Sequence, residues 1–446
     1  MAELVLPIED LDEDGRGVGR APDGTEVHVA GALPGETVRA TLAHRSPHAP
    51  RAWADLVAVA GEPAAERVPP ACPNHGRCGG CVLQHLAYPA QLSFKRRLVE
   101  RAFAAHPSLA RVEVTDVVAA PRELHYRNRA KYVLAERDGR LVLGSFAPGS
   151  HAIIDMAGCQ VPEEPLDEVA RALIRRLAGI PVYDERTHQG ELRHLVVRAN
   201  VDGELLAVIV TRTAAPRAAL VRAAHGLRAD HPMVAGVVHN LNPDPGNVIF
   251  GPRDEVLDGA GRLRDEIAGV PLDLSARSFF QVNRAQAERL YGAAVDAARV
   301  RPRMRAVDLF CGAGAIALLL ARAGARVRGI EINPDAVADA RATAKRLGLD
   351  AEFEAADAAA GLAAAARDLG GLDVLVVNPP RKGLGAALAA VKGAAPPRLL
   401  YVSCNPRTLA ADLASLPGYR VERVVPYDLM PGTPHVETLA ILSRSA

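Results

Sequence analysis

Two short stretches near the carboxyl end of the chain carry residue types that together can perform covalent chemistry. Ser403-Cys404-Asn405-Pro406 places a thiol at the tip of a predicted strand, and the last predicted strand begins with an imidazole, His435, and a carboxylate, Glu437. A free thiol is only a few per cent ionised at neutral pH, but its thiolate is a strong nucleophile. We therefore interpret Cys404 as a nucleophile and Glu437 as a general base. The alternative for Cys404 is a buried structural cysteine.

The stretch from Val307 to Pro334 predicts a β-α-β unit that would face this thiol. Its first strand ends in Asp308, its turn contains Gly312, and its second strand ends in Glu331. Glycine lets the backbone approach a ligand closely, and a carboxylate at the second strand end can accept hydrogen bonds from ribose hydroxyls. The unit is therefore predicted to bind adenosine. The position of Asp308 and the later Asn378-Pro379-Pro380-Arg381 favour S-adenosylmethionine (SAM); a nicotinamide cofactor is the alternative, because the turn also fits the loose dinucleotide fingerprint.

A thiol nucleophile, a methyl donor and a general base suit one reaction, the methylation of an unactivated pyrimidine carbon. Carbon 5 of uracil is too weak a nucleophile to attack SAM directly. Addition of the Cys404 thiolate to carbon 6 would make carbon 5 nucleophilic; after methyl transfer, Glu437 would remove the carbon 5 proton and the thiolate would leave. The two stretches therefore predict covalent catalysis on a pyrimidine.

Three of the six cysteines lie within ten residues, with the spacing C-x5-C-x2-C: Cys72, Cys78 and Cys81. In a chain without secretory features this spacing indicates a metal site and not disulfides. Cys159 is the remaining cysteine free of a competing assignment. Four thiolates suit an iron–sulfur cluster or a structural zinc, and in a zinc site His75 or His85 could replace the fourth thiolate.

Composition limits the possible classes of protein. The chain has 446 residues, 49% of them hydrophobic, and a net charge of +1. We found no apolar run of 18 residues and no signal peptide, which predicts a soluble, cytoplasmic protein without a membrane partner. The basic excess is local, with eleven Lys or Arg against six acids between Lys95 and Leu143. Within it, Tyr126 to Tyr132 alternates cations with aromatics; such a strand could contact RNA phosphates and stack a base, or be a solvated strand face.

The pattern of strands and helices predicts an α/β protein of three domains. Residues 1–62 alternate apolar and polar positions between glycine turns, which predicts a small β-barrel of oligonucleotide-binding type. Residues 63–269 are predicted to form a mixed α/β central domain that carries the metal site. Residues 270–446 alternate strands and helices, which predicts a doubly wound, Rossmann-like methyltransferase domain.

The ordered set of motifs resembles the RNA uridine-C5 methyltransferase family, which makes 5-methyluridine in tRNA and ribosomal RNA. The resemblance runs along nearly the whole chain, from a TRAM-type barrel and the cysteine spacing to five later motifs: Phe279–Asn283, Asp308–Gly312, Asn378–Arg381, Ser403–Pro406 and His435–Glu437. It implies a four-iron–four-sulfur cluster on Cys72, Cys78, Cys81 and Cys159, with a structural or RNA-positioning role. The implied SAM contacts are Gln281, Phe310, Gly312, Glu331, Asp357 and Asn378, with Asp357 resting on the fold more than on a motif.

Two departures from the family pattern bear on the substrate. Many members have Asp where this chain has Asn378, whereas some, including a ribosomal RNA subgroup, carry Asn there; Ala315 replaces a frequent Asn. We therefore expect a monomeric enzyme that methylates a flipped-out uridine of 23S ribosomal RNA, with tRNA as the alternative. Two rivals belong to other classes: an amino-group methyltransferase, because Asn-Pro-Pro motifs serve exocyclic nitrogens, and a catalytically silent RNA-binding or assembly factor.

Overall fold

The computed structural model describes residues 3–246, 248–278 and 280–445. Residues 3–60 form a closed five-stranded barrel, which confirms the predicted N-terminal barrel. Its strands are β1 (Glu3–Leu11), β2 (Gly17–Arg20), β3 (Glu26–Ala30), β4 (Thr37–Arg45) and β5 (Arg51–Ala60). The barrel closes because β4 pairs with β1, and alternate residues such as Leu6, Ile8, Val27 and Val29 fill its interior. Among the described residues, no helix combines the length and apolarity needed to cross a membrane.

The central region is a seven-stranded sheet covered on one face by two helices. Its elements are β6 (Arg129–Arg137), β7 (Arg140–Phe146), β8 (Ile153–Asp155), α2 (Glu164–Arg176), β9 (Leu192–Ala199), β10 (Leu205–Thr211), α3 (Arg217–Asp230), β11 (Val234–Leu241) and β12 (Arg253–Gly259); α1 (Tyr88–Ala104) precedes them. The strand order is β12-β11-β10-β9-β6-β7-β8. Leucines and valines of β9 and β10 pack against α2 and α3 in one apolar core.

The carboxyl-terminal region is the doubly wound domain that the sequence predicts. After the hairpin β13 (Arg262–Ile267) and β14 (Val270–Ser275), its elements are α4 (Arg284–Ala298), β15 (Arg305–Leu309), α5 (Ala315–Arg322), β16 (Arg326–Glu331), α6 (Pro334–Leu347), β17 (Ala351–Ala355), α7 (Ala358–Asp368), β18 (Val374–Val377), α8 (Ala387–Ala394), β19 (Arg398–Ser403), α9 (Pro406–Ala414), β20 (Tyr419–Tyr427) and β21 (Glu437–Arg444). The strand order β17-β16-β15-β18-β19-β21-β20 reverses at β15, and a ligand crevice forms where such a sheet reverses.

Two segments predicted to belong to the central domain pack in the core of the doubly wound domain. Val99 and Phe103 of α1 are buried with residues of β19 and α9, and Val114 bridges to Val424 in β20. The boundary predicted at residues 269 and 270 falls in the turn between β13 and β14, both of which pack in the same core as α4 and α5. The limits 1–62, 63–269 and 270–446 therefore stay predictions, while the packing assigns α1 and the hairpin to the larger core.

Candidate active site

The thiol and the carboxylate predicted to do chemistry lie side by side across two antiparallel strands. Cys404 directly follows β19 and Glu437 begins β21. Ser403 and Thr438 are the last residues paired between the two strands, so Cys404 and Glu437 both follow that pair at the same end of the ladder. The Glu437 carboxylate acts on the Cys404 thiol through its charge, which places the two groups in one neighbourhood. The fold therefore brings together two residues that are 33 positions apart in the chain.

The surroundings of Cys404 act on its charge in opposite directions. Burial raises the pKa of the Cys404 thiol, the Glu437 carboxylate raises it further, and the Arg381 guanidinium lowers it through its charge and a hydrogen bond. The thiol also lies at the amino end of α9, which Asn405 caps by accepting from the Arg407 amide at 3.1 Å. A cation and a helix amino terminus both favour a thiolate. The position can therefore generate a nucleophile in a partly buried crevice.

Glu437 has the properties of a proton acceptor that works near neutral pH. Burial raises the pKa of its carboxyl group to about 7, and the charge of Arg381 opposes that rise. A base is most effective when its pKa is close to the operating pH. Glu437 can therefore take up a proton at neutral pH and release it again.

The glycine turn after β15 has the form of an adenosine cradle. Glu331 is fixed at the tip of β16, since its Oε2 accepts from the Gly312 amide at 3.1 Å and its Oε1 accepts from the Asn333 amide at 2.9 Å. Gly312 has φ +55°, and a Cβ atom there would meet nothing within 4 Å, so the turn faces open space. Each carboxylate oxygen of Glu331 keeps acceptor capacity for a ribose hydroxyl. The turn and Glu331 therefore fit the sugar of a nucleoside ligand.

Asp308, at the carboxyl end of β15, supplies a second acceptor beside that turn. Its Oδ2 accepts from the Ala317 amide at 2.9 Å, whereas its Oδ1 is buried without a hydrogen-bond partner in the described part of the chain. Burial raises the pKa of Asp308 to about 7. A buried polar atom normally has a partner, so the unpaired Oδ1 is consistent with a bound polar ligand.

The other predicted SAM contacts border the same crevice. Gln281 is buried, and its backbone carbonyl accepts from the Asn128 side chain at 3.1 Å. Phe310 adopts a left-handed conformation, φ +64°, directly before the glycine turn. Asn378 follows β18, and its backbone amide donates to the Leu309 carbonyl at 3.1 Å. These three residues therefore line the ends of neighbouring elements at one edge of the sheet.

One predicted SAM contact, Asp357, also has a structural role, and one residue of the predicted motifs, Phe279, is not described by the structure. Asp357 is exposed at the tip of β17 and caps α7, because its Oδ1 accepts from the Ala359 amide at 2.9 Å. One of its oxygens therefore has a structural task, and the other remains available to a ligand. Phe279, in the motif before α4, lies outside the described residues.

The four cysteines predicted to bind a metal come into one neighbourhood from two separate segments. Burial raises the pKa of Cys81 to about 12, and the thiols of Cys159, Cys78 and Cys72 add to that rise. A hydrogen bond from Asn74 to the Asp155 carbonyl at 2.8 Å joins the two segments. Within the described ranges, no group of three or more His, Cys, Asp or Glu side chains has metal-binding geometry. The four thiols therefore share a neighbourhood and are of a type that binds metals, but they do not form a metal-binding arrangement in the described ranges, and their metal stays a prediction.

Two features of the site were not predicted from the sequence. Arg381 was used only to judge the Asn-Pro-Pro motif, yet its charge acts on both Cys404 and Glu437, and its Nη2 lies 3.4 Å from the ring of His435. Lys95 and Asp428 form a fully buried ion pair at 2.5 Å, which anchors the segment that leads to Glu437. The basic residue in Asn-Pro-Pro-Arg was a signal for the first; no local pattern links Lys95 to Asp428, which is 333 residues away.

Comparison with known proteins agrees with this geometry. The family described as "Methyltransferase domain" matches residues 301–396, and the family described as "tRNA (Uracil-5-)-methyltransferase" matches residues 365–445. Two uncharacterized RNA methyltransferases are similar over nearly the full length. The one from Geobacter sulfurreducens is 40% identical over 99% of this chain and 90% of its own, and the one from Listeria innocua is 37% identical over 98% and 97%.

A solved structure is similar over the whole fold. It is the Pyrococcus abyssi tRNA (uracil-54, C5)-methyltransferase in complex with S-adenosyl-L-homocysteine, with a TM-score of 0.75, 27% identity, and coverage of 98% of this chain and 100% of that one. The likeness includes both the barrel and the doubly wound domain, because the coverage is nearly complete. Taken with the relatives and the family matches, it shows that this chain belongs to the RNA uridine-C5 methyltransferase family.

Proposed function

We propose that this protein is a SAM-dependent methyltransferase that forms 5-methyluridine in RNA through a covalent adduct on Cys404. The observation that carries the proposal is the placement of Cys404 near Glu437 at the end of the β19–β21 ladder, on the same edge of the sheet as Gly312 and Glu331. A nucleophile and a base beside an adenosine cradle are the parts that this reaction needs. The S-adenosyl-L-homocysteine in the Pyrococcus abyssi structure supports the choice of methyl donor.

The reaction proceeds in three balanced steps. The Cys404 thiolate adds to carbon 6 of uracil, so that a carbon–sulfur bond forms and the ring becomes an enolate. Carbon 5 then takes the methyl group that SAM supplies, and S-adenosylhomocysteine remains. Glu437 removes the proton from carbon 5, the electron pair restores the ring double bond, and the carbon–sulfur bond breaks to release the thiolate. Arg381, beside both groups, stabilises the thiolate before attack and the Glu437 carboxylate before proton removal.

Two observations bear on the class of RNA that is methylated, and they favour different answers. Asn378 favours 23S ribosomal RNA, the target predicted from the sequence. The solved relative acts on tRNA, as its name states, and favours that alternative. We propose 23S ribosomal RNA, with the target base rotated out of its stack to reach Cys404.

A trapping experiment tests the reaction and the RNA class together. The full chain is mixed with SAM and total RNA in which uridine is replaced by 5-fluorouridine, then run on a denaturing gel. Fluorine at carbon 5 cannot leave as a proton, so the covalent adduct should persist and should be absent for Cys404→Ala. Sequencing of the trapped RNA names the target. SAM binding without any adduct would favour an amino-group methyltransferase or a silent RNA-binding factor.

A second variant assigns the base. Glu437→Gln should accumulate the adduct with ordinary RNA, because the proton on carbon 5 must leave before the thiolate does. The band on the denaturing gel should grow with time while release of methylated RNA slows. Release at the wild-type rate would place the base at another residue.

We also propose that Cys72, Cys78, Cys81 and Cys159 hold a four-iron–four-sulfur cluster. Support comes from the four thiols in one neighbourhood and from the amide of Gly80, which donates to the Cys78 sulfur at 3.4 Å. Amide-to-sulfur hydrogen bonds are among the interactions that tune such clusters. Protein purified without oxygen should contain about four iron and four sulfide per chain; one zinc and no sulfide would replace the cluster by a structural zinc.

A further inference from the structure

A cationic surface on the central sheet has no anionic partner among the described residues. Arg129 and Lys131 lie on the same face of β6, opposite the face covered by α2. Arg129 is only 8% exposed, its guanidinium lies 5.5 Å from the ring centre of Phe250, and its Nε has no hydrogen-bond partner in the described part of the chain. Lys131 is exposed, and no acid in the described ranges forms an ion pair with either cation.

The lack of an acidic partner among the described residues makes these cations costly for the folded chain. Burial lowers the pKa of Arg129 to about 10 and that of Lys131 to about 8, and the charges of Arg129, Arg198 and Arg127 lower that of Lys131 further. Buried charges are normally paired, because an uncompensated one keeps its full desolvation cost. Arg129 carries this cost, and the exposed Lys131 lies beside it on the same face, which together indicate an anion supplied from outside the chain.

An exposed apolar side chain lies two positions along the chain from the aromatic ring that contacts Arg129. Val248 is 72% exposed, and the segment that contains it ends at Phe250, which lies under Arg129. The buried Asn242 side chain donates to the Val248 carbonyl at 2.6 Å and to the Ile249 carbonyl at 3.1 Å. Arg193 fixes the start of the loop by donating to the Asp244 carbonyl at 2.7 Å. An exposed apolar side chain so near in sequence to the ring that contacts Arg129 suits contact with an unstacked nucleobase.

The cationic surface is connected to the catalytic crevice through one residue. Asn128 lies directly before β6; its backbone amide donates to the Val282 carbonyl at 2.8 Å and its side chain donates to the Gln281 carbonyl at 3.1 Å. Gln281 is a predicted SAM contact at the crevice edge. Strand β6, which carries Arg129 and Lys131, therefore begins directly after a residue that is hydrogen-bonded to the segment bordering the crevice.

We propose that Arg129, Lys131 and the loop tip at Val248 and Phe250 form an RNA subsite outside the crevice, in which the cations bind backbone phosphate and the loop contacts a base of an unpaired strand. This subsite rests on the proposed function for the identity of its ligand as RNA. It positions the strand next to the flipped uridine and does not take part in the chemistry.

The test uses the exposed member of the pair, because its removal leaves the core intact. Affinity of the full chain for a fluorescein-labelled, uridine-containing single-stranded RNA 15-mer is measured by anisotropy over a range of potassium chloride concentrations. Lys131→Ala should weaken binding by about tenfold and reduce the slope of log Kd against log salt by about 0.7, the value for one phosphate contact on a single strand. Lys131→Arg should restore both. The matched control is Lys392→Ala, an exposed lysine in the last turn of α8, at the end of the helix away from the crevice.

A second variant tests the loop. Val248→Ser should weaken binding without changing the salt slope, because it removes an apolar contact and no charge. If Lys131→Ala and Lys392→Ala bind RNA equally, or if the wild-type chain binds the 15-mer without salt dependence, the subsite is wrong. The 5-fluorouridine adduct tests the proposed function separately. If the wild-type chain forms the adduct but Lys131→Ala binds RNA as tightly as wild type, only the subsite is overturned. If the wild-type chain forms no adduct, only the proposed methyl transfer is overturned.

Discussion

Two regions of the molecule use cysteine under opposite conditions. Cys81 lies among other thiols, and burial raises its pKa to about 12, so without a bound metal it is a neutral thiol. The pKa of Cys404 is also raised by burial, but Arg381 and the amino end of α9 favour its thiolate. The difference is that only a metal would favour the thiolate of Cys81, whereas at Cys404 a fixed cation offsets part of the effect of burial.

The two regions are in direct contact through the segment between β20 and β21. Its Gly432 donates to the Gln91 side chain at 2.9 Å and accepts from the Leu83 amide at 2.8 Å, and a Cβ atom at Gly432 would lie 3.4 Å from the Cβ of Cys81. Lys95 donates to the Met430 carbonyl of the same segment at 3.0 Å. The segment that delivers Glu437 to the crevice therefore rests on the cysteine loop, and damage to either region should be felt in the other.

The largest effect is expected from removal of the nucleophile. Cys404→Ala should lower methyl transfer by at least about a thousandfold, because no other group can form the adduct, while S-adenosylhomocysteine affinity stays within a factor of about two. Transfer of labelled methyl to RNA and calorimetric binding measure the two quantities. Cys311→Ala is the matched control, since Cys311 is the other thiol at this edge of the sheet; a loss as large as that of Cys404→Ala would show that the crevice tolerates no thiol change.

Loss of the cation is expected to have the next largest effect. Arg381→Met should move the acidic limb of the kcat/KM profile to higher pH, because Arg381 lowers the pKa of both Cys404 and Glu437. At a pH on that limb, the rate falls about tenfold for every pH unit by which the limb moves. Arg381→Lys keeps the charge and should keep most of the profile. If the acidic limb of Arg381→Met does not move and kcat/KM falls equally at every pH, Arg381 acts only as an RNA contact.

The cysteine loop should affect catalysis less than stability. Cys81→Ser should lose bound metal, lower Tm, and reduce kcat about two- to fivefold, because the segment leading to Glu437 loses its support. Metal analysis, calorimetry and labelled methyl transfer measure the three results. The control is Ser415→Ala at the end of α9, which should change none of them. Full methyl-transfer activity in metal-free Cys81→Ser would show that catalysis does not depend on the cysteine loop.

The sequence predicted the elements with strong local patterns and missed contacts made over long separations. The alternation of strands and helices over residues 270–446 predicted the doubly wound domain, since apolar runs and caps such as Asn283 define its elements locally. Cys404 and Glu437 were found because each ends or begins a strand and has a distinctive chemical type. Strand β13 was assigned to the central domain and not to the catalytic domain, because its alternating pattern does not say which sheet or helix covers it. The pairing of Lys95 with Asp428 likewise depends on packing, which spacing does not encode.

The smallest expected effect concerns stability and pH at Glu437. Burial raises its pKa to about 7, above the ordinary 4.5. Between these two pH values the carboxyl group of Glu437 is ionised in the unfolded chain and protonated in the folded chain. The contribution of Glu437 to the free energy of unfolding therefore falls as pH rises from about 4.5 to about 7 and stays low above about 7. Glu437→Gln removes this cost. The variant should therefore exceed wild type by roughly 1–3 kcal/mol at about pH 8 and match it near about pH 4.

Urea unfolding of both proteins at the two pH values measures this difference, and Glu331→Gln is the matched control. Glu331 accepts from two backbone amides, so its replacement should lower stability at about pH 8, opposite to Glu437→Gln. Equal stability of Glu437→Gln and wild type at that pH would mean that Glu437 is ionised at no cost in the folded chain. Glu437 would then be too weak a base to remove a proton near neutral pH. The predicted difference in stability between Glu437 and Glu331, whose carboxylate accepts from two backbone amides, would also be lost.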